Sequence, residues 1–205
     1  TKYYGADAAD KLYRRLENSI NENGLIYVLK HGIEDMGIKI RVCYFKPESE
    51  LNEGQNELYK MNVLGCTRQF AYSPDNHNTI DMVLSLNGIP IVALELKNQF
   101  MGQDVECAIE QYKTDRNPKE FCFRFNHRFL VYFAVDLYEA YMTTQLKGGD
   151  TYFMPFNQGS NGAGNSGGKG NPANTEGYVT AYLWEEVLQR DSLIDLIHRF
   201  ICHVR

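Results

Sequence analysis

Asp81 and the tripeptide Glu95-Leu96-Lys97 are the residues of this chain best suited to do chemistry. They flank two apolar runs, DMVLSL at 81–86 and IPIVAL at 89–94. A strand buried on both faces should be apolar throughout, so a charged end carries information. Side chains alternate along a strand, which puts Glu95 and Lys97 on one face. If Asp81 shares that face, two carboxylates can hold one divalent cation beside an ammonium. The same three residues would equally make an ordinary salt bridge at a strand end.

The connection between the runs decides whether the carboxylates meet. Asn87-Gly88 is the strongest short hairpin signal a sequence offers. A two-residue turn there pairs Leu86 with Ile89 and Asp81 with Leu94, and points Glu95 to the wrong face. A three-residue turn over 86–88, with Gly88 left-handed, pairs Ser85 with Ile89 and Asp81 with Ala93. Asp81 and Glu95 then become diagonal neighbours about 7–8 Å apart at their roots. Pro90, which cannot donate to a ladder, marks an irregular start to the second strand. The expectation is a hairpin bulged at its turn, with Asp81 and Glu95 on one face.

An acidic residue, a hairpin and Glu-x-Lys resemble the PD-(D/E)xK nuclease core. Longer stretches add detail: IDMVLSLNGIPIVALELKN (80–98), AIEQYKTDRNP (108–118), TYFMPFNQGSNGAGN (151–165) and YLWEEVL (182–188). Together they look like the N-terminal endonuclease domain of the R, or motor and cleavage, subunit of type I restriction enzymes. The resemblance runs from about Tyr59 to the C-terminus, and more loosely before it. It implies Mg2+-dependent cleavage of double-stranded DNA, with Asp81, Glu95 and the backbone carbonyl of Leu96 as metal ligands. It implies that Lys97 orients the attacking water or stabilises the transition state, and that Gln111 is the glutamine of a motif near the active site. The family places a tyrosine four residues after that glutamine, whereas this chain has Asp115 there and Tyr112 next to Gln111. The resemblance also implies methyltransferase and specificity subunits as partners, and an ATP-driven translocase elsewhere in the same subunit.

The 205 residues are enough for one sizeable core, and the expectation is a single nuclease domain over 1–205. The chain stops at Arg205 directly after a predicted helix, which reads as an N-terminal fragment of a larger ATP-dependent translocase subunit. No run approaches the ~20 apolar residues of a membrane span. The five cysteines are scattered without a C-x-x-C, which fits a reduced, cytoplasmic setting rather than zinc or disulfides. The net charge of −5 argues against a free-standing DNA binder, but not against a nuclease held on DNA by larger partners.

Along the chain, residues 7–18 and 25–31 read as helices, 38–45 as a half-buried strand and 47–55 as an acidic loop. Residues 62–64 and 66–72 read as strand, with Arg68 placed to meet phosphate or a structural partner. Asp104 is a candidate N-cap for a helix over 104–116, with Val105, Ala108, Ile109 and Tyr112 as its apolar stripe. From 113 to 128, five Lys/Arg (Lys113, Arg116, Lys119, Arg124, Arg128) face two acids, with Phe121, Phe123 and Phe125 interleaved. Phosphate contact with counterion release is the functional reading, and a solvated helix end is the bland one. Residues 129–135 and 138–144 read as paired strands turning at Asp136-Leu137. The Gly/Asn/Ser-rich stretch 157–175 fails the Walker pattern at Ala163 and Gly170, so it reads as a flexible surface loop and any ATP chemistry lies outside this chain. Residues 178–188 read as a short helix. A last helix follows, capped by Asp191, with a stripe of Leu193, Ile197, Phe200, Ile201 and Val204.

The expected fold is α/β, a restriction-endonuclease-like core with a mixed central sheet flanked by helices. The expected activity is that of a metal-dependent DNA endonuclease. The alternatives are a nuclease-like docking or DNA-clamping module that does not cleave, and an unrelated two-carboxylate hydrolase such as a glycosidase. The latter does not account for Lys97 or the basic stretch.

Overall fold

A computed structural model describes residues 5–49 and 51–201. Val204, His203 and Cys202 lie outside the described residues. The chain divides into two compact units, Thr1–Val63 with Ile194–Arg205, and Leu64–Leu193.

In the first unit, α1 (Ala8–Asn23) runs past the expected stop. Of the stretch 21–24 that reads as its break, Gly24 alone ends it, at φ 84, with its N–H donating to the Ile20 carbonyl, because glycine enters the left-handed region without a Cβ penalty. α2 (Leu25–His31) follows as expected. β1 (Ile33–Asp35) and β2 (Ile38–Ile40) form a short antiparallel hairpin. The strand expected over 38–45 thus ends at Ile40. Beyond it no strand among the described residues lies alongside to use the alternation. Instead the Asn62 side chain takes the place of a partner, accepting from Tyr44 N–H at 3.0 Å and donating to the Tyr44 carbonyl at 2.6 Å. The acidic loop expected over 47–55 gives way at its end to α3 (Glu53–Lys60), capped by Asn52, whose side chain accepts from Gln55 N–H. Phe45 stacks on His198, ring centroids 4.3 Å apart.

The second unit holds a six-stranded mixed sheet. Its strands are β3 (Leu64–Ala71), β4 (Thr79–Leu86), β5 (Ile89–Leu96), β6 (Val131–Val135), β7 (Ala140–Thr143) and β8 (Met154–Pro155), in that spatial order. All neighbours are antiparallel except β5 and β6. A parallel pair needs a crossover, and α4 (Val105–Thr114) supplies it. Asp104 caps α4, accepting from Cys107 N–H at 3.2 Å. The predicted stripe Val105, Ala108, Ile109 and Tyr112 is buried, in one core with Val83, Ala93, Phe123, Tyr132 and Ala134. The α/β class with a mixed sheet is therefore the observed one.

The central hairpin reaches its register by a different route from the one expected. Asn87 and Gly88 alone form the turn, both at positive φ (52 and 83), and Leu86 pairs with Ile89. Two successive positive φ values define the turn whose twist suits a hairpin. The irregularity comes next. Ser85 pairs with Pro90 but Leu84 pairs with Val92, so Ile91 is the extra residue. Pro90 lacks the N–H that would hold the unslipped ladder there. Met82 then pairs with Leu94, and one further step sets Asp81 opposite Glu95, in direct rather than diagonal opposition.

Residues 157–175 hold no helix or strand, yet they close on themselves. Gly159 N–H donates to the Gly170 carbonyl at 2.8 Å, and Asn171 Nδ2 to the Tyr138 carbonyl at 2.9 Å. The helix expected over 178–188 is a single wide turn at Leu183–Val187, closed by Leu188 N–H to the Leu183 carbonyl. α5 (Arg190–Asp195) contains Asp191 rather than being capped by it, and runs into a second wide turn at Leu196–Phe200.

Candidate active site

β4 starts and β5 ends at one end of the sheet because they are antiparallel. β6 is parallel to β5, so its C-terminal end lies there too. At that end Lys97 N–H donates to the Val135 carbonyl at 2.8 Å. Leu96 N–H donates to Asp81 Oδ2, also at 2.8 Å. Asp81 is thereby bonded to the backbone between Glu95 and Lys97. Gln69 Nε2 donates to Asp81 Oδ1 at 3.3 Å, and Thr79 Oγ1 donates to Gln69 Oε1 at 2.8 Å. Gln69 sits at φ 50 between the paired residues Arg68 and Phe70. That conformation is uncommon for a residue with a Cβ, and such strain gathers at functional sites.

Glu95 is 0% exposed. Its Oε1 accepts from Arg116 Nε at 3.0 Å and Nη2 at 2.6 Å. Oε2 is buried with no hydrogen-bond partner among the described residues. Arg116, 3% exposed, also donates through Nη2 to the Thr79 carbonyl at 2.9 Å and through Nη1 to the Tyr72 hydroxyl at 3.3 Å. Its guanidinium lies 5.2 Å from the Tyr72 ring centroid. The Glu95 carboxyl is pushed up to about 7, chiefly by burial and further by Asp81, with Arg116 opposing the rise. A buried carboxylate with an acidic neighbour favours its neutral form unless a cation offsets the charge.

α4 supplies the remaining contact: Lys97 Nζ donates to Gln111 Oε1 at 2.6 Å. The helix is fastened by Asp136, whose Oδ2 accepts from Val105 N–H at 3.0 Å and Gln99 Nε2 at 3.2 Å. Tyr112, next to Gln111, turns inward instead, donating its hydroxyl to the Phe133 carbonyl at 3.3 Å.

Asp81 and Glu95 offer carboxylate oxygens and Leu96 a backbone carbonyl. These are hard donors of the kind Mg2+ takes, and Mg2+ usually keeps several waters, so one or two protein carboxylates suffice. A cation would also satisfy the donor-less Glu95 Oε2. The residues therefore fit that ion. Among the described residues no three His, Cys, Asp or Glu side chains gather as a metal site, so nothing there makes a closed all-protein cage.

The candidate phosphate contacts are not gathered in one place. Arg116 points inward, its donors already engaged by Glu95, Thr79 and Tyr72, because a cation placed just past the end of α4 can reach the buried carboxylate. Arg68 is exposed and pairs with Met82, on the sheet face of Leu94 rather than Glu95. Lys113 is half-buried on α4. Arg124 and Arg128 lie over the exposed Phe121 ring, 5.7 and 4.6 Å from its centroid. Sequence reasoning missed Gln69, Tyr72 and Asp136. The only signal for Asp136 was its place at a predicted turn, and Gln69 and Tyr72 gave none.

No curated protein and no solved structure matches the chain. The family described as Type I restriction enzyme R protein N terminus matches residues 17–151, more than half of the chain. The match begins well before Tyr59 and ends before the 157–175 stretch. With an acidic residue, a hairpin and Glu-x-Lys meeting at one end of the sheet in a chain so matched, the protein belongs to the family of type I restriction enzyme R protein N-termini.

Proposed function

We propose that this chain is the Mg2+-dependent endonuclease domain of a type I restriction enzyme R subunit and hydrolyses DNA phosphodiester bonds. The reading is carried by one convergence: Asp81, Glu95 and Lys97 lie at one end of the central strands, with Lys97 held by Gln111. An anionic DNA backbone repels an anionic nucleophile, so a site must bring positive charge to the phosphate. Asp81, Glu95 and the Leu96 carbonyl would hold Mg2+. Bound there, that ion supplies a Lewis acid and an acidified water. Lys97 Nζ adds a fixed ammonium where negative charge builds on the phosphoryl oxygens. Gln111 limits the rotamers of the long Lys97 chain, so the charge is in place before the substrate arrives. Arg68, Lys113, Arg124 and Arg128 would meet phosphates further along the duplex and release counterions.

The chain would be the N-terminal part of a larger ATP-dependent translocase subunit, with ATP acting through domains outside it. It would work in the cytoplasm with methyltransferase and specificity subunits. Among the described residues no helix is long and apolar enough to cross a membrane.

The test is nicking of supercoiled plasmid by the assembled R subunit with its partner subunits, Mg2+ and ATP. Asp81→Ala and Lys97→Ala should each slow cleavage by at least about 10²-fold. Undiminished cleavage by Asp81→Ala would sink the reading. An unsubstituted complex that travels along DNA and never cuts it would favour the clamping module.

A further inference from the structure

Arg116 has no counterpart in the acid, Glu-x-Lys and glutamine pattern, yet it makes the most contacts in the site. We infer that Arg116 is a positioning residue for the proposed cleavage: its guanidinium holds Glu95 by Oε1 alone and so reserves Oε2 for the cation. The inference rests on the proposed function and assigns that site a member outside its motif.

Two simpler roles fit the geometry less well. A phosphate contact needs an exposed fork of free donors. Arg116 is 3% exposed, and Nε, Nη1 and Nη2 are all engaged within the protein. A purely structural ion pair would place two parallel N–H groups on two oxygens, the arrangement Arg and carboxylate favour. Here Nε and Nη2 both converge on Oε1, and Oε2 stays buried with no donor. A buried acceptor without a partner destabilises a fold. Asp81 is the neighbour the protein does supply, and two carboxyls can share only a proton or a cation, so Oε2 is kept for a positive charge that bridges it to Asp81.

The guanidinium is itself held from three sides. The Thr79 carbonyl lies 2.9 Å from Nη2, the Tyr72 hydroxyl 3.3 Å from Nη1, and the Tyr72 ring beneath. One helix serves both charged members of Glu-x-Lys. Gln111 on α4 reaches Lys97, and Arg116, just past its end, reaches Glu95. A shift of that helix would move both at once.

The experiment is Mn2+ binding by calorimetry on the purified protein, with thermal melts of each variant in chelator. Arg116→Lys keeps the charge but loses the fork. It should melt between the unsubstituted protein and Arg116→Met, and bind Mn2+ roughly 10–100-fold more weakly, the usual loss when a residue that orients a metal ligand is changed. Tyr72→Phe, which removes one anchor of the guanidinium and touches no carboxylate, should weaken binding in the same direction by less. Arg116→Met should weaken binding at least as much as Arg116→Lys. Unchanged affinity in Arg116→Lys, or tighter binding in Arg116→Met, would show that the guanidinium only packs or competes, and would overturn the inference while Asp81→Ala still abolished binding. Mn2+ binding that is absent in the unsubstituted protein would instead overturn the metal-dependent reading itself. The chelator melts keep the Glu95 contact testable in that event. Arg116→Met and Glu95→Gln should shift melting non-additively when combined, and additive shifts would mean that Arg116 does not hold Glu95.

Discussion

Asp136 offers the sharpest test of how the fold positions the site. It is buried, and its two oxygens accept four hydrogen bonds. Oδ1 takes Tyr138 N–H and Glu139 N–H, each at 2.8 Å. Oδ2 takes Val105 N–H at 3.0 Å and Gln99 Nε2 at 3.2 Å. One carboxylate therefore shapes the β6–β7 turn and fastens the start of α4. Asp136→Ala leaves three backbone N–H groups without their acceptor. Part of the turn can relax toward water, while Val105 is buried and its N–H cannot. A buried orphan donor costs about 1–3 kcal/mol, and the Asp104 cap of α4 stays in place, so the expected loss is about 2–3 kcal/mol. Asp136→Asn keeps one carbonyl oxygen for the turn and presents an amide N–H₂ to the other donors, so about half the loss is expected. Urea unfolding followed by fluorescence of Trp184, the single tryptophan, reads both. Because α4 carries Gln111 and leads to Arg116, cleavage should fall in both variants even where the protein is fully folded. An Asp136→Ala midpoint within about 0.5 kcal/mol of the unsubstituted protein, the range of ordinary surface substitutions, would refute the account of α4 as fastened from β6.

Gln111→Ala frees the Lys97 ammonium now held at 2.6 Å, and should slow plasmid nicking by roughly 10²-fold with DNA binding unchanged in a gel shift. Gly88→Ala at φ 83 should cost about 1–2 kcal/mol in a urea titration, since the strain is in the backbone and nothing lies within 4 Å of an added Cβ. Cys43 and Cys122 are buried and each is pushed up to about 12 by desolvation, whereas Cys66 and Cys107 are exposed. Alkylation of native protein at pH 8, read by peptide mass spectrometry, should modify the exposed pair and spare the buried pair until the chain unfolds. The same two thiols ionise at the ordinary 9.0 when unfolded and near 12 when folded. Their contribution to stability is complete below pH 9 and is lost as pH rises from 9 toward 12, a decline that thermal melts in a pH series would follow and that Cys43→Ala should lessen.

The α4 stripe was legible in the sequence because one face must be apolar at helical spacing, and Asp104 was legible because its cap is local. The β4–β5 hairpin was legible because Asn87-Gly88 tolerates the two positive φ values its turn uses. Its register was not. Nothing along the chain distinguishes a bulge at Gly88 from one at Ile91, since the choice depends on which pairing lets both strands bury their apolar faces. The strand expected over 38–45 failed for a related reason: alternation permits a strand, but only a neighbour makes one, and past Ile40 the neighbour is the Asn62 side chain. Capping at Asn52 outweighed the acidic, loop-like composition before α3.

The sequence by itself determined the kinds of atom available for chemistry. Asp81 and Glu95 supply hard oxygens, Lys97 an ammonium, and the Glu-x-Lys spacing puts two of them on one strand face. It also determined the family, because the hairpin and helix words are local and long enough to recognise. Only the tertiary structure decided that Arg116 turns inward to Glu95 rather than outward to phosphate, that Gln69 and Leu96 hold Asp81, and that Asp136 ties α4 to the end of β6. These contacts join residues far apart along the chain. A side chain's partner is set by burial and by the approach of other elements, and those distances exist only once the sheet has formed.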